Sequence, residues 1–439
     1  MQRPTHSPGL KRSMTTLVVV PLLAFGAVSC GRSLTAPVAP GRAIARARST
    51  DGISGSEVVV TLVAGADAQA VASRYGAEVV ESAPGAQVAT LRPGPGEGLQ
   101  DFQQVLAGDS SVVTVEPNGW LETAESRQQS FSFDDGLETP EAFLGQPAAA
   151  ALHLEAAQAV ATGRGVTVAI LDTGIDPNHP LLQGVYAGGV DFVDHDDDPT
   201  ETHDGIDNDG DGQVDEAFGH GTHVAGIIHL VAPEARILAV RVLDDDGAGD
   251  LLRVVAGVRW AMRQGAKVIN LSLGSLQRSV AVERALEDAE AQGIVVVVSA
   301  GNWGSDTPVE FPASSSAVAA IAAVDADGNA ASFSSFGANV ALAAPGVAIR
   351  STFPGGDFRL WSGTSMSSPF VAGTCALLAE LHPDWTRSEM LARIESCAGH
   401  VNAGGRAFGA GALDVGAALA PDCPVIVSDT LGGEDMRPH

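Results

Sequence analysis

Basic residues are scarce in this chain: 25 Lys and Arg stand against 53 Asp and Glu over 439 residues. Residues 1–50 hold seven of the 25 and none of the 53, so the remainder carries 18 basic against 53 acidic side chains. A body this negative is repelled by nucleic acid and by anionic lipid head groups, which excludes a nucleic-acid partner. Long apolar runs are missing too. The longest candidate, Leu17–Val28, has about 12 residues where a spanning helix needs roughly 20, so no permanent transmembrane helix is expected. Aromatic residues make up only 5% against 51 Gly, which favours helices packed closely on a sheet over an aromatic-filled sandwich. Cysteines number four. Cys375 lies in an apolar helical run and is expected to be a buried small hydrophobe. Cys397 and Cys423 can pair in an exported chain or stay apart.

What is present is a globular composition, 45% hydrophobic and 18% charged, with room for a large core. The first 30 residues have a basic start, a short apolar run and small residues before Cys30, the pattern of an export signal. Ser29-Cys30 also resembles the lipobox of bacterial lipoproteins, with Ala27 in place of the usual Leu. Lipidation of Cys30, which would anchor the protein to a membrane, and ordinary cleavage nearby are the two alternatives. Residues 31–56 lack any apolar period and form a linker. Residues 57–122 alternate strand and helix patterns in the order βαββαβ, a ferredoxin-like α+β arrangement. A second linker covers 123–147, the main body covers 148–422, and a tail covers 423–439.

In the main body the pattern changes to short β-branched runs, Val166–Leu171, Ile237–Leu243, Val268–Leu271 and Ile294–Ser299, alternating with helical stretches. Such runs are buried on both faces in a parallel sheet, so the fold class expected is a doubly wound α/β domain. Ligands bind such sheets at the carboxyl ends of the strands, so the polar residues that follow the runs are the candidates for chemistry.

Three stand out. Asp172 ends the run Val-Thr-Val-Ala-Ile-Leu, His220 lies in Gly-His-Gly-Thr-His-Val-Ala-Gly, and Ser365 lies in Gly-Thr-Ser-Met-Ser-Ser-Pro at a helix N-terminus. Singly they would be a turn aspartate, a structural histidine and a capping serine. Together they form the minimal set for nucleophilic catalysis. A serine hydroxyl needs a base, and the base needs a carboxylate to fix its tautomer and stabilise the imidazolium. Their order, with gaps of 48 and 145 residues, is the subtilisin order among the unrelated folds that share this geometry.

LDTG, GHGTHVAG and GTSMSSP resemble the three active-site signatures of subtilases, and the resemblance covers about Leu154 to Ala420. It implies a serine endopeptidase with Asp172, His220 and Ser365 as its triad and Asn302 as an oxyanion donor beside the Ser365 backbone N–H. It also implies that Ser272, Leu273 and Gly274 form an edge segment pairing with an extended polypeptide substrate, with Gly249 near the matching segment opposite. A primary pocket is then expected beside Ala300, Gly301, Asn302 and Trp303. Glu310 either borders that pocket, where it would favour Lys or Arg, or points to solvent. Residues 57–122 resemble the propeptides that assist folding of subtilases and inhibit them, so the chain's own propeptide is an expected partner and cleavage is expected between about Leu121 and Pro147. A catalytically inactive binding or scaffolding module is the rival class. An esterase using the same triad is disfavoured, because the sequence around Ser365 lacks the G-x-S-x-G elbow. A monomer with no organic cofactor is expected.

Two departures from the family pattern matter. Phe370 replaces the histidine frequent after Ser-x-x-Pro, and the loop that holds a tight calcium in subtilisin is missing between Ile228 and Pro233. An acidic loop stands directly before Gly219-His220 instead. Its carboxylates Asp207, Asp209 and Asp211, with Gly212 at the sixth position and Asp215 at the ninth, suit the first part of a calcium loop. Phe218 stands where an EF-hand has its bidentate Glu, so the loop is not an EF-hand. Either Ca2+, with Asp204 and Glu216 as further ligands, or a solvated acidic turn fits, whereas zinc is disfavoured by the oxygen-only donors.

Overall fold

The β-branched runs of the main body assemble into one sheet in the computed structural model, which describes residues 53–128, 130–306 and 310–423. The export signal and Cys30 lie outside these residues, as does the tail beyond Cys423. The first elements are β1 (Ile53–Leu62), α1 (Ala68–Arg74), β2 (Glu78–Ala83), β3 (Val88–Arg92), α2 (Leu99–Ala107) and β4 (Val112–Glu122). Their strands form an antiparallel sheet in the order β2-β3-β1-β4. One face buries Val58, Val60, Leu91, Phe102 and Leu106 in a core of its own. The other face turns Val59 and Val88 into the core of the main body.

The segment 123–147 carries short helices α3 (Ala124–Gln128) and α4 (Pro140–Leu144), with α5 (Pro147–Ala151) and α6 (Leu154–Gln158) leading into the main body. It is packed rather than a bare linker: Phe143 is fully buried, and Gln146 Nε2 donates to the Arg350 carbonyl at 2.8 Å.

The main body then runs β5 (Thr167–Asp172), β6 (Tyr186–Asp191), α7 (His220–Val231), β7 (Arg236–Arg241), β8 (Ala248–Asp250), α8 (Leu251–Arg263), β9 (Val268–Leu271), α9 (Val280–Ala291), β10 (Val295–Ser299), β11 (Ala319–Val324), β12 (Val340–Pro345), β13 (Ile349–Phe353), β14 (Asp357–Trp361), α10 (Thr364–Leu381), α11 (Arg387–Ser396) and α12 (Val415–Leu419). Seven strands form a parallel sheet in the order β12-β11-β10-β9-β5-β7-β6. Their period-2 alternation explains why the runs are apolar throughout. In β10, Val295 and Val297 join the core under α7 and α10, while Val296 and Val298 join the core under α8 and α9. Helices thus cover both faces, and the carboxyl ends of β5, β9 and β10 are left open to carry polar residues.

Two cysteine readings resolve here. Cys397 and Cys423 are bonded across a Cα–Cα distance of 6.0 Å, and Cys375 is buried, its thiol pushed up to about 12 by burial.

Candidate active site

Asp172 is the last residue of β5, and its Oδ1 accepts a hydrogen bond from the backbone N–H of Thr173 at 2.8 Å. His220 is the first residue of α7, and its Nδ1 stands 2.7 Å from the same Oδ1. Both side chains are fully buried, and the imidazole lies edge-on to Trp361. Behind them a carboxylate that sequence reasoning missed ties the two elements together. Glu201 accepts from the hydroxyls of Thr173 and Thr222 and from the backbone N–H of Gly221 at 3.1 Å. Burial raises the pKa of Glu201.

Ser365 is the second residue of α10. Pro369 lies inside that helix rather than in its first turn, and its missing N–H leaves the Ser365 carbonyl without its helical donor. Ser272 Oγ donates to that carbonyl at 3.2 Å. The side chain of Ser272 therefore braces the helix that carries Ser365, and that of Leu273 lies in the hydrophobic core. Of the edge segment Ser272–Gly274, the backbone of Gly274 does the strand pairing. Asn302 follows β10. Its Oδ1 accepts from the N–H and the hydroxyl of Thr364 at 3.0 and 2.9 Å, which turns its amide nitrogen toward Ser365.

The cleft is filled by the chain itself. β4 runs antiparallel to β8, with Leu121 opposite Gly249, and Glu122 exchanges backbone hydrogen bonds with Gly274 at 2.9 and 2.8 Å. Both expected substrate-pairing segments are thus occupied. Three residues further on, the fully buried carboxylate of Glu125 reaches Asn302, Ser365 and His220. Its Oε1 accepts from Asn302 Nδ2 at 2.9 Å and from the Ser365 N–H at 3.4 Å. Its Oε2 accepts the Ser365 hydroxyl at 2.5 Å and lies 3.4 Å from His220 Nε2. The serine proton is therefore donated to Glu125 instead of His220. Burial opposes charge on His220, but Asp172 and Glu125 outweigh it and raise the imidazole to about 10. Burial would likewise raise Glu125, but its contacts with His220, Ser365 and Asn302 hold it below the usual carboxylate range. No sequence motif marked Glu125, since the segment containing it has no pattern beyond a short helical turn.

Glu310 does not point to solvent: it is 2% exposed, with Trp303 Nε1 donating to its Oε1 at 2.5 Å. Gly301 and Gly274 lie against its carboxyl group, and Ala300 packs into a small core behind them. The acidic loop sorts into two groups of carboxylates. Oxygens of Asp207, Asp209 and Asp211 lie within 4.8 Å of one another, whereas Asp215 groups with Asp204 and the buried Asp245. Burial and the neighbouring Asp246, Asp209 and Asp211 push Glu216 up to about 8, and burial lifts Asp245 to about 6. Negative charge is thus crowded there, and the donor set is all oxygen, which fits a hard divalent cation.

Residues 163–411 match the model of the subtilase family, peptidase S8. The chain is 40% identical over 265 residues to thermitase from Thermoactinomyces vulgaris, across 58% of this chain and 88% of that one. It is 39% identical over 271 residues to subtilisin NAT from Bacillus subtilis subsp. natto, across 58% of this chain but only 66% of that one. Fervidolysin from Fervidobacterium pennivorans, a keratinolytic enzyme related to subtilisin, superimposes with a TM-score of 0.68 and 25% identity over 85% of this chain and 62% of that chain. With the parallel sheet and the motif residues converging at one end of it, these matches show that the chain belongs to the subtilase family of serine endopeptidases.

Proposed function

We propose that the protein is an exported endopeptidase that hydrolyses polypeptides with Asp172, His220 and Ser365, and that it is made as a self-inhibited, self-processing precursor. The observation that carries this reading is the convergence of His220, Ser365 and Asn302 on one carboxylate, with Asp172 behind the imidazole. Glu125 Oε1 marks the place of a substrate's carbonyl oxygen. With a peptide there, Ser365 Oγ attacks the carbonyl carbon and His220 Nε2 takes the hydroxyl proton. Asp172 holds the Nδ1–H and stabilises the imidazolium. The oxyanion receives hydrogen bonds from Asn302 Nδ2 and the Ser365 N–H. His220 then protonates the departing amine, and water releases the acyl group by the same steps in reverse order. Substrate binds as an added strand between β8 and Gly274, where backbone hydrogen bonds supply affinity.

In the precursor residues 57–122 are a ferredoxin-like propeptide, and 148–422 are the catalytic domain. β4 takes the substrate's place, while Glu125 occupies the oxyanion site with a side chain that cannot be cut. Calcium held by Asp207, Asp209 and Asp211, and at Asp204, Asp215 and Asp245, would neutralise the acidic loop that leads into His220; it supplies charge and order to the loop. The first 30 residues support export, and Ser29-Cys30 supports anchoring through a lipid on Cys30 over ordinary cleavage nearby. Among the described residues no helix is long and apolar enough to cross a membrane.

The test is Ser365→Ala, expected to give a folded chain that neither cleaves casein nor processes itself nor reacts with a fluorophosphonate. Self-cleavage at the wild-type rate would overturn the triad. Asn302→Ala should retain slow processing, with roughly 100- to 1,000-fold lower turnover, a magnitude taken over from subtilisin.

A further inference from the structure

We propose that Glu201 is a positioning residue of the triad, an ionised carboxylate that sets His220 against Asp172 before substrate arrives and favours the imidazolium during turnover. The inference rests on the endopeptidase reading and adds a residue to its machinery. His220 is the first residue of α7, so its place depends on how that helix starts. Gly219, just before it, has a φ of 87° and makes no side-chain cap. A Cβ there would lie 2.3 Å from the Phe353 ring, so no capping side chain fits at that position. The N–H groups of Gly221 and Thr222 therefore lack the local acceptor that a helix start usually has.

Glu201 supplies that acceptor from outside the helix. Its Oε1 accepts from the Thr173 hydroxyl and from the Gly221 N–H at 3.1 Å; its Oε2 accepts from the Thr222 hydroxyl and from the Thr222 N–H at 3.3 Å. Thr173 directly follows Asp172, so one carboxylate joins the start of α7 to the residue beside the aspartate. The carboxylate is fixed in turn. Glu201 N–H donates to the Ile175 carbonyl at 3.1 Å, and Ile175 N–H donates to the Pro199 carbonyl at 2.9 Å. A Cβ on Gly221 would lie 2.2 Å from the Gly174 carbonyl oxygen, so the helix start meets the end of β5 backbone to backbone.

The donors also set the charge. An ionised carboxylate accepts at about four places, whereas a protonated one must donate as well. Four donors face Glu201, and each hydroxyl among them already accepts a backbone N–H: Thr173 from Gly221 at 3.0 Å, Thr222 from Asp176 at 2.7 Å. Burial and the charge of Asp172 work against the anion, while the two hydroxyls and His220 favour it. All four donors are neutral. Arg241 reaches the Thr173 carbonyl with Nε at 3.1 Å, but its other nitrogens are given to Asp191, Asp194 and Asp245. The groups that face His220 are Asp172 on β5, Glu125 on α3, which processing removes, and His223 on the same helix. Burial lowers His223 to about 3 and keeps it uncharged. In the processed enzyme the imidazolium is thus favoured by two anions, Asp172 at its Nδ1 and Glu201 behind the pair.

The experiment uses the full-length chain after self-processing, with kcat and KM for one peptide anilide followed across pH. Glu201→Gln keeps the size of the side chain, removes its charge and turns an amide N–H against donors. Its kcat should fall roughly 10- to 100-fold, since a misplacement of about 1 Å can cost about 100-fold, with KM little changed. The pK on the acid limb of kcat/KM, which belongs to His220 of the free enzyme, should move down by roughly 0.5–1 unit, less than a carboxylate in contact would give. Thr222→Val keeps the charge and removes one strut, so kcat should fall with that pK in place. A brace that served folding alone would lower Tm in both variants and leave kcat and pK where they were, and that result overturns the proposal. An unchanged kcat or an unchanged pK in Glu201→Gln overturns it too. If Glu201→Gln does not fold, an unchanged kcat in Thr222→Val is the overturning result. A wild-type chain that hydrolyses no peptide would overturn the endopeptidase reading and this proposal with it.

Discussion

Glu125 shows what one carboxylate does when three donors share it. Removing it takes away the acceptor for Ser365 Oγ and Asn302 Nδ2 and the counter-charge of His220. Glu125→Ala should therefore speed fluorophosphonate labelling of the unprocessed chain by roughly 10- to 100-fold, since hydrogen bonds to charged groups carry about 1.5–3 kcal/mol. Equal labelling rates would remove Glu125 from the inhibitory contact. The same pair predicts a pH dependence. His220 is raised from 6.5 to about 10, so its contribution to stability is complete below about 6.5 and lost as pH rises through about 10. Glu125 is held below 4.5, so its contribution is complete above about 4.5 and lost as pH falls through the lowered value. Urea unfolding of the Ser365→Ala precursor, which cannot digest itself, should show stability falling from about pH 6.5 upward. Glu125→Gln should flatten that slope.

At the scale of elements, α9 begins with a cap borrowed from the N-terminal unit. Glu116, on β4, accepts from the N–H groups of Val280 and Ala281 at 2.9 and 2.8 Å and from Ser279 Oγ at 2.7 Å. A carboxylate there answers both the unpaired donors and the helix dipole. Glu116→Ala should cost about 1 kcal/mol in urea unfolding of the Ser365→Ala precursor, and the cost should vanish in a chain that has shed its N-terminal unit. On local preference alone Pro117, Asn118 and Gly119 would end the strand at Glu116. The strand continues to Glu122 because β8 and Gly274 offer it partners distant in sequence. The acidic loop makes a separate prediction. Calcium at 100 times its dissociation constant should stabilise the fold by about 2.7 kcal/mol, seen as a rise in Tm. Chelator should reverse the rise and Asp209→Ala with Asp211→Ala should abolish it. A Tm indifferent to calcium would leave the loop a solvated acidic turn.

At the scale of the whole molecule, the seven-stranded parallel sheet joins strands far apart in the chain, a topology that folds slowly because loop closure precedes the contacts that reward it. The N-terminal unit packs Val59 and Val88 into the core under α8 and α9, and Arg263 Nη1 donates to the Gly85 carbonyl at 2.8 Å. It is therefore placed to hold those helices while the sheet forms. Residues 57–122 supplied separately should inhibit the mature enzyme and speed refolding of a chain beginning near Pro147. If neither refolding rate nor turnover changes, the unit is an accessory domain.

The sequence by itself determined that a parallel sheet is present, four of its seven strands, and the motifs that hold Asp172, His220, Ser365 and Asn302. Buried parallel strands must be apolar on both faces, and each of these four residues sits in a local string whose glycines and small residues the backbone requires. Glu125 and Glu201 look like any other acidic residue along the chain, Glu310 was left between a pocket wall and solvent, and only the tertiary structure decided where all three lie. Glu125 meets Ser365 across 240 residues and Glu201 meets Gly221 across 20. Glu310 lies seven residues from Trp303, but only the fold sets its carboxyl group against Gly274 and Gly301. A carboxylate's role depends on which donors surround it and how much water is excluded, and neither is written in the residues beside it.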